Sequence, residues 1–420
     1  MSRRRGALPL LAALACLLLP ALAAAEPQQA QAPEQPQTPQ QPGPQLAARS
    51  WGLIDARTGD VLTTHAGNAE LPIASTTKLM TAYVAMKELP LDKIVRAAPY
   101  DAEYGESLMG LRTGERISVR DLIYGLILRS GNDAAHTLAI AAAGDEARFV
   151  AEMNRYAAAL GLSHTHYANP IGLDQKGNYS SALDLMTLTR RLLAIPAFAR
   201  IADSRTAVLR SVHPRRRIAT INELLLMAPW VTGVKTGHTW KAGYVLVGSG
   251  EKRGIKLISV AIDAPTDETR FSDNMELLEW GFRQYHRRKA IRKGKELASP
   301  SIRYSGGELP LLVGHSLKVA MRDGQKVEVD VDAPAEVTGP IRRGARLGTA
   351  TVSIDGLRAG SVPLVASRRI PAASAFDKAR GFVGEHLVPL AIAVCAILAI
   401  AILLGRSVRR IRRGKRVEQK

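Results

Sequence analysis

Residues 70–82 read ELPIASTTKLMTA, with a serine and a lysine three apart where an apolar helix begins. Pro72 stands just ahead, and Ser75 or a neighbouring threonine is placed to cap the helix. Leu79, Met80, Tyr83, Val84 and Met86 then recur at helical spacing and predict a buried face. On such a helix Ser75 and Lys78 lie one turn apart on the same side. A serine hydroxyl becomes a good nucleophile when a neighbouring base takes its proton, and an amine stripped of water can be that base. A cap followed by a surface lysine is the plainer alternative. The same spacing recurs at Ser249 and Lys252 in GSGEKRG, which reads as a glycine-rich turn with nothing to bury the amine. The first copy therefore needs support from elsewhere in the chain.

The chain has 420 residues, enough for two folded domains and extra segments. Its net charge of +19 resembles that of a nucleic-acid binder, but the distribution argues otherwise. Residues 405–420 carry +7, and Arg3, Arg4 and Arg5 add +3. The +9 that remains is spread over about 400 residues with no basic cluster interleaved with aromatics, so no nucleic-acid partner is expected. Each basic end flanks an apolar run. Residues 1–25 have a basic start, an apolar middle and small residues at the exit, the pattern of a secretory signal cut after Ala23 or Ala25. Residues 387–404, LVPLAIAVCAILAIAILL, contain no charge and are followed at once by the basic tail 405–420. This predicts one transmembrane helix with its tail in the cytoplasm and the rest of the mature chain outside. Of the two cysteines, Cys16 falls in the signal and Cys395 in the span, so the exported portion has no cysteine chemistry.

Residues 26–47 form a Pro/Gln-rich linker: 14 of the 20 residues from 26 to 45 are Gln or Pro. The next segment, 48–288, opens with two short strands around Thr58, Gly59 and Asp60 and continues through several helical patterns. After Pro229 come β-rich runs, WVTGVKTG, AGYVLVGSG and IKLISVAID, and a helix over 274–286 closes the segment. Strands at both ends with helices between predict an α+β fold, an antiparallel sheet covered by helices. Residues 291–371 alternate apolar and polar residues, with a hairpin turn at Asp355 and Gly356, and predict a small all-β domain. Residues 372–386 connect it to the apolar run.

Two further motifs bear on the Ser75 pair. Ser130, Gly131 and Asn132 stand between two helical patterns, and Lys235, Thr236 and Gly237 stand in an expected strand. Singly, each is also what a helix–helix turn or a strand end would supply. Together, in this order, S-x-x-K, S-G-N and K-T-G follow the motif order of β-lactamases and penicillin-binding proteins. The chain closely resembles the low-molecular-weight penicillin-binding proteins that are serine-type D-alanyl-D-alanine carboxypeptidases. The likeness extends over roughly residues 48–370, through YGESLMGLRTGERISVRDLIYGLILRSGNDAA, ANPIGLDQKGNYSSALDL, VTGVKTGHTWKAGYVLV, LLEWGF and SVPLVAS.

The resemblance implies a β-lactamase-like catalytic domain and a role for each motif residue. Ser75 would attack the carbonyl between two terminal D-alanines of a peptidoglycan pentapeptide stem, and Lys78 would be its base. Ser130 would relay a proton to the leaving amine, and Asn132 would hydrogen-bond a substrate peptide group. Lys235 would help keep Lys78 neutral and, with Thr236, hold the terminal carboxylate beside Gly237. The amides of Ser75 and His238 would form an oxyanion hole. Arg270 matches a family arginine that helps bind the carboxylate, although an ordinary surface arginine would look the same. The same residues would serve a D,D-endopeptidase or weak transpeptidase, and a non-catalytic penicillin-binding wall protein is the alternative of another class. No cofactor is implied. His164 and His166 in SHTHY have the spacing of a metal pair, but no third ligand stands out. The E-x-x-L-N motif that supplies a deacylating glutamate in one β-lactamase class is absent between Ser130 and Lys235, so β-lactams are expected to inhibit.

Overall fold

The computed structural model describes residues 43–304, 306–383 and 387–417. The expected signal and most of the Pro/Gln-rich linker lie outside them. The first strands are β1 (Ser50–Asp55) and β2 (Val61–His65), whose connection uses Gly59 at φ +88°. A 3₁₀ turn, Ala74–Thr77, runs directly into α1 (Lys78–Glu88). No side chain caps either start, contrary to the capping role expected of Ser75 or its threonine neighbours. The tight turn satisfies its own backbone instead: the Thr76 amide and hydroxyl both donate to Ile73 O, at 3.2 and 2.6 Å.

A ribbon of β3 (Ile94–Arg96) and β4 (Arg116–Ser118) leads into α2 (Val119–Leu128), which Ser118 caps by accepting from the Asp121 amide. Then follow α3 (Asn132–Ala143), α4 (Glu146–Ala159) capped by Asp145, α5 (Ala182–Leu193) capped by Ser181, and α6 (Pro196–Ala202) with proline in its first turn. A second ribbon, β5 (Thr206–Leu209) with β6 (Arg216–Ala219), and the short α7 (Leu224–Met227) precede β7 (Val231–Thr239), β8 (Gly243–Lys252) and β9 (Ile255–Ala264). The main sheet has the order β2-β1-β9-β8-β7, antiparallel throughout.

Both faces of this sheet are covered, and the two-residue period divides them. Ile258, Val260 and Ile262 join a core with Leu79, Leu122 and Leu185 of the helical layer. Leu257 and Ala261 pack with Leu277 and Leu278 of α8 (Asp267–Arg283) on the other side. Ser259, on that second face, donates to Asn274 Oδ1 at 2.8 Å, so the buried hydroxyl is satisfied. The helix expected from residue 274 begins at Asp267. Thr266 and Thr269 cap it reciprocally, and its first turns are polar, which hides them from an apolar count.

The second S-x-x-K copy lies at the end of β8, not in a turn. Ser249 Oγ pairs with Thr232 Oγ1 at 2.8 Å, and Lys252 Nζ sits 3.7 Å above the Trp230 ring. Three residues apart on a strand means opposite faces, so this pair does not meet. The amine is nevertheless covered by aromatic surface, against the expectation that nothing would bury it.

Downstream, a five-stranded sheet orders Glu296–Ala298, Leu311–Val313, Leu357–Ala366, Arg346–Ile354 and Val327–Asp332 around its own core of Leu311, Val352 and Leu364. Asp355 and Gly356, at φ +48° and +76°, make its hairpin turn. This β-module meets the β1–β2 hairpin through polar groups. Arg322 donates to Asp60 and Arg57 to the Arg358 carbonyl, while Tyr285, just after the helix Asp267–Arg283, donates to Asp55.

The chain continues into α9 (Ala375–Phe382), capped by Ser374, and α10 (Val388–Val417). Among the described residues no helix is long and apolar enough to cross a membrane. The transmembrane helix expected over 387–404 is therefore not carried by the structure.

Candidate active site

The 3₁₀ turn before α1, the α2–α3 junction and β7 bring three short motifs to one place. Lys78 is fully buried, and its Nζ donates to Ser75 Oγ at 2.8 Å and to the Ile171 carbonyl at 2.5 Å. Burial drives its pKa down from 10.5 to about 7, against the opposing fields of Glu106 and Asp133. An amine with that pKa is free base for much of the time at neutral pH, and a free amine beside a hydroxyl can take its proton.

Ser130 has φ +59°, an unusual conformation for a residue with a side chain, and its hydroxyl accepts from Lys235 Nζ at 2.9 Å. Lys235 is also fully buried and donates to the Thr236 carbonyl at 2.6 Å. Burial first, then the positive fields of Lys78 and Arg270, pull its pKa well below the usual lysine value. Among the described residues neither buried amine forms an ion pair with a carboxylate.

Backbone fit sets the register of these parts. A Cβ on Gly237 would lie 3.0 Å from the Ser75 amide nitrogen and 3.1 Å from Ile73 O, so β7 runs close against the nucleophile turn. Arg270 Nη1 donates to the Gly237 carbonyl at 3.0 Å and its guanidinium pairs with Asp267. Below the turn, Asn169 shapes the loop that offers the Ile171 carbonyl, accepting from the amides of Ile171 and Gly172 at 3.2 and 2.6 Å. Gly172, at φ +90°, lies so close to Ala74 that a Cβ would stand 2.1 Å from its carbonyl oxygen.

Asn132 opens α3, and its Nδ2 donates to Glu106 Oε2 at 2.6 Å. Thr236 is buried, but its hydroxyl has no hydrogen-bond partner among the described residues. The His238 ring is exposed and stacks on Tyr244 with centroids 4.2 Å apart. His164 and His166 take other partners: Glu70 for the first and the Gly177 carbonyl for the second. Reading the sequence did not single out Glu106, Asp133, Asn169 or Ile171. Asp133 accepts from the amides of Met109, Gly110 and Leu111, each at 2.9 Å, and so ties the 106–111 segment to the head of α3. Their only signal was membership in YGESLMGLRTGE, SGNDAA and ANPIGLD, where spacing gives no hint of a meeting.

Two family models match the chain: one described as D-alanyl-D-alanine carboxypeptidase over residues 35–266, and one as penicillin-binding protein 5, C-terminal domain, over residues 285–372. The D-alanyl-D-alanine carboxypeptidase DacC of Escherichia coli (strain K12) is 32% identical over 358 residues, covering 81% of this chain and 88% of that protein. DacF of Bacillus subtilis (strain 168), also a D-alanyl-D-alanine carboxypeptidase, is 30% identical over 329 residues, covering 76% of this chain and 85% of that protein. The crystal structure of penicillin binding protein 5 from Haemophilus influenzae aligns with a TM-score of 0.55 at 28% identity, covering 79% of this chain and 99% of that one.

Proposed function

Because this chain belongs to the D-alanyl-D-alanine carboxypeptidase family and carries the family's C-terminal β-domain, we propose a residue-by-residue mechanism for it. The protein is a serine-type D-alanyl-D-alanine carboxypeptidase. Neutral Lys78 takes the proton of Ser75, whose oxygen attacks the carbonyl of the penultimate D-alanine of a peptidoglycan stem. The amides of Ser75 and His238 receive the oxyanion. The proton passes through Ser130 to the leaving D-alanine amine, and water then hydrolyses the acyl-serine. Lys235, Thr236 and Arg270 favour the terminal carboxylate by charge and hydrogen bonding, beside Gly237, and Asn132 holds a peptide group of the stem. The observation that carries this reading is the 2.8 Å contact between Ser75 Oγ and an amine with no exposed surface and a pKa near neutrality.

The test is release of free D-alanine from a synthetic stem peptide ending in D-Ala-D-Ala, with labelling by a fluorescent penicillin as second readout. Wild type releases D-alanine and takes the label; Ser75→Ala does neither. Equal release by both would remove Ser75 from the chemistry.

We also infer that residues 387–404 attach the chain to a membrane, with the catalytic module on the outer side. Support comes from the uncharged run, the basic tail after it, and exposed Leu390, Ile392, Ile397 and Leu404 on α10. If the full chain stays in the aqueous phase on detergent partitioning, this attachment is excluded.

A further inference from the structure

Glu106 stands beside the three motifs without belonging to any of them. Its Oε2 accepts from Asn132 Nδ2 at 2.6 Å and from the Tyr100 hydroxyl, while Oε1 accepts from the Glu103 amide at 3.2 Å. The Asn132 amide in turn donates to the Ser107 carbonyl at 2.8 Å, so the segment after Glu106 is bound to the head of α3 by backbone as well.

The chemistry of this contact removes an ambiguity. A carboxamide has a donor end and an acceptor end of nearly equal size, and both orientations fit most pockets. An ionised carboxylate only accepts, so it tolerates only the NH₂ end. Burial alone would push Glu106 toward its neutral form, but hydrogen bonds from Asn132, Tyr100 and the Glu103 amide, with the nearby Lys78, outweigh it and hold the group ionised. Tyr100, raised above the usual tyrosine range by burial and by Glu106, stays a donor.

We propose that Glu106, steadied by Tyr100, is a positioning residue that fixes which end of the Asn132 carboxamide faces it and thereby which groups face the substrate. One N–H is spent on Glu106; the second N–H and the carbonyl oxygen remain for the stem peptide. This rests on the assignment of Ser75, Lys78 and Asn132 above. Glu106 also faces Lys78 together with Asp133 and Lys235, so its charge favours the protonated amine and raises the pH at which the base becomes free.

The experiment compares full-length wild type, Glu106→Gln, Glu106→Ala, Glu106→Asp and Tyr100→Phe, with Ser75→Ala as control, for kcat and KM on the stem peptide from pH 5.5 to 9.5. Glu106→Gln preserves the shape but accepts either end of the amide. It should lower kcat/KM about tenfold, the scale of one lost charge-assisted hydrogen bond. Its acid limb should move to lower pH, because a field that raises the Lys78 pKa is gone. Glu106→Asp should recover part of the loss, and Tyr100→Phe should lose less than Glu106→Ala. A dead Ser75→Ala beside Glu106→Gln and Glu106→Ala within twofold of wild type, with an unmoved acid limb, would overturn the positioning role alone. Full activity in Ser75→Ala would overturn the site assignment and the proposal with it.

Discussion

Lys78 and Lys235 are two fully buried amines in one site, and each donates to a serine hydroxyl instead of to a carboxylate. The field of Lys78 helps lower the pKa of Lys235, so the two do not readily carry full charge together.

This pairing sets a pH dependence. Lys78 falls from 10.5 to about 7 on folding, so between those values the unfolded chain binds more protons than the native one. Stability therefore rises with pH across that window, and below about pH 7 the full penalty remains. The penalty is on the order of 5 kcal/mol, partly offset by bonds to Ser75 and Ile171. Lys78→Met should abolish D-alanine release and raise stability at pH 7 by roughly 1–3 kcal/mol. Urea unfolding at pH 7 and 9 checks it: the variant should show less increase with pH than wild type. A variant less stable than wild type at pH 7 would count against the burial penalty.

Gly172→Ala tests the floor of the nucleophile turn. A methyl there meets the Ala74 carbonyl at 2.1 Å, and a φ of +90° is itself unfavourable for alanine. The loop would have to move and take the Ile171 carbonyl away from Lys78. The expected result is a loss of about 2–4 kcal/mol in stability and at least a hundredfold in acylation rate. Penicillin labelling kinetics and thermal melting would measure both, and unchanged labelling would mean that the loop does not hold Lys78.

Arg270→Gln removes a charge whose guanidinium now braces the Gly237 carbonyl. Raised KM, with kcat changed by less than about threefold, is expected if Arg270 chiefly attracts the substrate carboxylate. An equal fall in kcat and kcat/KM would instead assign it to the transition state.

Thr266→Ala removes the cap of α8 on the side of the sheet away from the helical layer. A loss of about 1 kcal/mol without change in kcat is expected. Denaturant midpoints and D-alanine release would show it, and a large loss of activity would show that α8 transmits its start position to the cleft through Arg270.

How much of this was visible in the chain depends on how local each relation is. Ser75 and Lys78 meet because three residues make a helical turn, and that spacing is written in the sequence. The approach of Ser130 to Lys235 crosses more than a hundred residues, and only the order of motifs hinted at it. Glu106, Asn169 and Ile171 gave no hint, because a carbonyl or carboxylate becomes part of a site through tertiary contact and not through spacing. The start of α8 was missed because capping threonines and acidic first-turn residues carry no apolar period. Ser249 and Lys252 show the converse: the same spacing on a strand sends the side chains apart.

The polar contacts between the β1–β2 hairpin and the β-module have a mechanical consequence. Charge pairs such as Arg322 with Asp60 weaken in salt, whereas the apolar cores on either side do not. Raising the salt therefore weakens this junction before it touches either apolar core.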